Sequence, residues 1–78
     1  MSGYIKMYAI TQYGKTVARN TNNPDTPEFR VLSHMDKMNR PETIDQISSG
    51  TGYPANALGT ILSSLTRNYK PPLIGVVM

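Results

Sequence analysis

The stretch from residue 43 to residue 65, TIDQISSGTGYPANALGTILSSL, constrains this fold more than any other part of the chain. It reads as a helix, a tight glycine-bearing turn, and a second, longer helix. Ile44 and Ile47 lie three apart on the first, while Leu58, Ile61, Leu62 and Leu65 follow the i, i+3, i+4, i+7 stripe of a half-buried helix on the second. Gly50, Gly52 and Pro54 stop one helix and start the next, because glycine tolerates positive φ and proline suits the first turn of a helix. The apolar residues thus fall where two crossing helices need them.

The flanking segments supply the remaining elements. Residues 4 to 10, YIKMYAI, favour a strand, with Tyr4, Lys6 and Tyr8 on one side and Ile5, Met7 and Ala9 on the other. Thr11 caps a short helix that turns Val17 and Ala18 inward, although Gly14 weakens it by ~1 kcal/mol relative to Ala. The polar stretch NTNNPDT, residues 20 to 26, reads as a loop. Thr26, Pro27 and Glu28 then open a helix running to Met38, whose buried face is Val31, Leu32, Met35 and Met38, joined by Phe29. Asn39, Arg40 and Pro41 end it, and Thr43 caps the next helix, with Asp45 and Gln46 in its first turn. Beyond Leu65 the long helix frays through Arg67 and Asn68, Pro71 and Pro72 forbid its continuation, and LIGVVM, residues 73 to 78, reads as a strand.

At 78 residues and 38% apolar composition this is one domain, near the size where a single core is only just sufficient. The chain has no cysteine, so neither disulfides nor thiolate metal sites supplement that core. A homodimer is therefore expected. No apolar run approaches the ~20 residues that span a bilayer, and no signal-peptide core is present, so a soluble, cytoplasmic protein is expected. The net charge is +3, and its distribution says more than its total. All five acids (Asp25, Glu28, Asp36, Glu42, Asp45) fall between residues 25 and 45, with Lys6, Lys15 and Arg19 before them and Arg67 and Lys70 after. If the two chain ends meet, they create one positive side.

From Val31-Leu32 and Met35, through TIDQIS and its TG turn, to Leu58, Leu62, Leu65 and the Leu73-Ile74 strand, the chain resembles the winged helix-turn-helix domains of small bacterial and archaeal transcription regulators. The resemblance covers roughly residues 26 to 77 and implies an α+β fold with a three-helix core and a small antiparallel sheet. Two departures stand out. The link RNYKPP replaces the family's short glycine turn, and no second wing strand follows the first. The N-terminal YAITQYGKTVAR resembles the strand and helix that normally follow the wing. The expectation is a single domain over residues 1–78. An N-terminal strand and short helix (4–19) precede a helical core (26–69), and the terminal strands pair antiparallel, with an exposed or swapped C-terminal strand as the competing arrangement.

Other motifs carry less. Gly14-Lys15-Thr16 lacks the upstream glycine of a phosphate-binding loop, since position 9 is Ala. His34 is the single histidine, placed beside the apolar stripe of its helix, and Asp36, Glu42 and Asp45 read as surface or capping residues. No His, Asp or Glu cluster has metal-ligand spacing and no catalytic set is assignable, so neither an enzyme nor a cofactor is expected. The tyrosines read as packing partners, with Tyr53 a plug between helices.

The function this implies is binding of double-stranded DNA by a transcriptional regulator, through the helix at residues 54–68. Asn56, Thr60 and Ser63 would read the groove, with Arg67, Lys70, Lys6 and Lys15 on phosphates. The alternative is a winged-helix module that docks a protein partner without DNA, favoured by the sparse charge of that helix and by the apolar C-terminal edge. RNA binding is a weaker third reading.

Overall fold

Three of the helices begin where a threonine hydroxyl accepts a bond from an otherwise unpaired backbone N–H. The computed structural model describes residues 5–77. In it α1 (Gln12–Ala18) starts at Thr11, whose Oγ1 accepts from Gly14 N at 2.9 Å. Helix α2 (Pro27–Met38) starts at Thr26 with proline in its first turn, and α3 (Ile44–Thr51) starts with a capping box. In that box Thr43 Oγ1 accepts from Gln46 N at 3.2 Å and Gln46 Oε1 accepts from Thr43 N at 2.9 Å. Helix α4 (Ala55–Arg67) has Pro54 at its N-cap position and no side-chain cap.

Strands β1 (Met7–Ile10) and β2 (Ile74–Val77) come from opposite ends of the chain and pair antiparallel, with Tyr8 opposite Val76 and Ile10 opposite Ile74. The expected pairing of the terminal strands is present, over a shorter span. Tyr4 and Met78, at the outer ends of the expected strands, lie outside the described residues. On its other edge β1 is bridged by Glu42, with Tyr8 N donating to Glu42 O at 2.8 Å and Glu42 N to Tyr8 O at 2.9 Å. The segment joining α2 to α3 therefore adds a single bridge beside the sheet.

The core is assembled from α2 (Val31, Leu32, Met35), α3 (Ile47), α4 (Leu58, Leu62, Leu65), and Leu73, Ile74 and Tyr8 at the sheet. Each helix contributes the stripe its spacing dictates, so a face of apolar side chains leaves water and the polar residues stay outside. Ile61 and Met38 depart from expectation. Both are only half-buried, because they sit at the margin of their helix stripes.

The architecture is a small α+β domain with four helices, not three, and a two-stranded antiparallel sheet. The fourth is α1, which packs on α2. Its glycine is required by a close approach. A Cβ on Gly14 would stand 2.0 Å from the carbonyl oxygen of Leu73. The turn between α3 and α4 also differs from expectation in detail. Gly50 lies inside α3, whereas Gly52 alone takes the left-handed conformation, at φ 84°, that ends it.

Candidate nucleic-acid interface

With Leu58, Leu62 and Leu65 committed to the core, helical periodicity leaves Asn56, Gly59, Thr60, Ser63 and Arg67 on the outward side of α4. Asn56, Gly59, Thr60 and Arg67 are exposed and Ser63 is half-buried. A shallow hollow of about 460 Å³ lies along this side, lined by Gly59, Thr60, Ser63, Ser64, Arg67 and Asn68. A second, of about 300 Å³, runs from Gly59, Ser63 and Arg67 across to Lys6, Tyr8 and Val76 on the N- and C-terminal segments. The two share Gly59, Ser63 and Arg67, so they adjoin along α4.

Gly59 deepens both. A Cβ built there meets nothing within 4 Å, so the glycine answers no packing demand inside the domain. Tyr8 is buried, and Lys6 Nζ stands 5.5 Å from its ring centroid, an attraction that holds the ammonium beside the second hollow. Asn56 Oδ1 accepts from Ala57 N at 3.0 Å, which leaves its amide nitrogen facing out. Thus Thr60, Ser63, Arg67 and Lys6 come together, with Asn56 one turn earlier on the same side. Lys15, on α1, and Lys70, between α4 and β2, line neither hollow.

Two of the acids are paired with arginines away from these hollows, whereas Glu28 bonds Ser64 at the rim of the first. Arg30 holds Asp25 through bonds of 2.7 and 2.8 Å, Arg19 reaches Asp36 at 3.3 Å, and Ser64 Oγ donates to Glu28 at 3.2 Å. The hydrogen bond and charge of Arg30 hold the Asp25 carboxyl below its usual range, while Asp25 and then Tyr53 raise Arg30 further. Arg19, expected on the positive side, is therefore answered by Asp36. Among the described residues, Lys6, Lys15, Lys37, Arg67 and Lys70 make no ion pair.

Glu42 overturns its sequence reading. It is 2% exposed rather than on the surface, and its Oε1 lies 2.8 Å from His34 Nε2. The ring of His34 rests against Gly50, where a Cβ would stand 2.2 Å from Cε1. No residue pattern announced the pair, since Glu42 sits in a short link between two helices. Among the described residues no group of three or more His, Cys, Asp or Glu is placed to hold a metal ion, and no helix is long and apolar enough to cross a membrane. No known protein family, curated protein or solved structure matches the chain.

Proposed function

We propose that this chain is a winged-helix-like transcriptional regulator that binds double-stranded DNA with the outward side of α4. The single observation that carries the reading is the depression in which Lys6 and Arg67, from opposite ends of the chain, flank Ser63 and the bare Gly59. Small side chains at Gly59, Thr60 and Ser63 allow the helix close approach to a groove floor. Asn56, Thr60 and Ser63 offer hydrogen bonds to base edges, and Lys6 and Arg67 offer charge to phosphates. In this reading the paired terminal strands take the place of the wing. Lys15 and Lys70 serve as outlying phosphate contacts, and a homodimer would double the surface.

The test is duplex binding measured over a salt series. Affinity should fall steeply with salt, and Lys6→Ala with Arg67→Ala should reduce the log–log slope by roughly two. An unchanged slope would remove the phosphate assignment.

A second reading, docking of a protein partner, is favoured by the other side of the sheet. By strand alternation Met7, Ala9, Gly75 and Val77 lie there, all uncharged, and Ile5 beside them is 66% exposed. Absence of binding to any duplex at low salt would favour it.

A further inference from the structure

Between α2 and α3 lies a cleft of about 480 Å³ that shares no residue with the hollows on α4. Its lining includes His34, Lys37, Arg40, Glu42, Gln46 and Ser49. The hydrogen-bonded His34–Glu42 pair belongs to it, backed by Gly50. Glu42 is buried and His34 half-buried, and their 2.8 Å hydrogen bond joins α2 to the link that bridges β1. Its value here is to keep one side of the cleft polar and fixed.

The other polar groups of the lining are hydrogen-bond donors or free to act as such. Lys37 makes no ion pair among the described residues. The guanidinium of Arg40 approaches Glu42 Oε2 only at 3.9 Å, and its side chain is 62% exposed. Gln46 spends its carbonyl oxygen on the capping box, which leaves its amide N–H groups available. Ser49 is exposed on the lining, and the one carboxylate present is already engaged by His34. Lys37, Arg40, Gln46 and Ser49 are all exposed, so two cations and two neutral donors line the cleft beside a single carboxylate. A phosphate, with three or more acceptor oxygens and up to two charges, matches them. The volume exceeds that of a bare phosphate, and Met38 adds an apolar wall.

We propose that this cleft binds the phosphate group of a small phosphomonoester, held by Lys37 and Arg40 with Gln46 and Ser49. The site is independent of the DNA reading, and the same phosphate chemistry could also be offered by a duplex backbone. The experiment follows His34 ring and Ser49 amide resonances of the full chain by NMR at fixed pH. Inorganic phosphate, adenosine monophosphate and a DNA duplex are each added against sodium chloride of matched ionic strength. Saturable shifts are expected with phosphate and the nucleotide, the nucleotide binding more tightly. Lys37→Ala with Arg40→Ala, both exposed positions, should weaken binding roughly tenfold or more. Shifts with the duplex alone would identify the phosphate as the backbone's and overturn the small-molecule assignment. Shifts with none of the three, or undiminished binding by the double variant, would overturn the site itself.

Discussion

Gly14, in the first turn of α1, lies directly against the carbonyl oxygen of Leu73, the residue that leads into β2. A Cβ at Gly14 would be 2.0 Å from that oxygen and 2.8 Å from Ile10 Cγ1. The same carbonyl accepts from Thr11 N at 3.0 Å, and Thr11 Oγ1 bonds Pro72 O at 2.7 Å. The two ends of the chain are thus joined by backbone contact as well as by the strand ladder.

Gly14→Ala should therefore destabilise the domain even though alanine is the better helix former. The helix gain is about 1 kcal/mol and the clash is with backbone, which yields little, so a net loss of roughly 1–3 kcal/mol is expected. Urea denaturation of the variant measures it, and a stability equal to the parent's would count against the close contact.

Gly59→Ala should do the opposite. Its Cβ meets nothing within 4 Å, so only the helix gain remains, up to about 1 kcal/mol of added stability. Gly59→Leu should keep the fold but fill the depression, weakening duplex binding. Anisotropy titration beside thermal melting separates the two effects.

Leu62 is 1% exposed at the centre of α4. Leu62→Ala should cost about 2–5 kcal/mol, a large share of what a domain of this size possesses. Loss of a cooperative melting transition, or a midpoint lowered by many degrees, is the expected outcome in differential scanning calorimetry.

Glu42→Ala leaves His34 without its partner and should cost about 2 kcal/mol or more, while Glu42→Gln keeps a hydrogen-bonding group and should cost less. In a double-mutant cycle with His34→Ala, a coupling of about 1 kcal/mol is expected. Strict additivity would mean that the 2.8 Å contact contributes nothing.

Arg30 lowers the Asp25 carboxyl, so the pair adds stability above the unfolded-state pKa of about 3.9 and loses it as pH falls through the lower folded-state value. Both side chains are largely exposed, so the effect is small and screened by salt. Asp25→Asn should flatten the acid side of the melting-temperature profile at low ionic strength and change nothing near neutral pH beyond the loss of the pair.

The helices were legible because their signals are local. Thr26 followed by Pro27, Thr43 followed by Gln46, and the Leu58–Leu62–Leu65 spacing each act within a turn or two of chain, and each appears where it was read. The terminal strand pairing was also legible, through a resemblance in pattern rather than from composition. The margins were not. Ile61 belongs to the same stripe as Leu62 by spacing, yet neighbouring elements cover it only in part.

What the sequence determined by itself is where the backbone changes state: caps, breakers and periodicity decide that within a few residues. Tertiary structure alone decided which charges meet. Arg19 was drawn to Asp36, and Glu42 was buried against His34. These outcomes depend on how whole elements pack, and the long flexible side chains involved carry no periodic pattern from which a partner could be read.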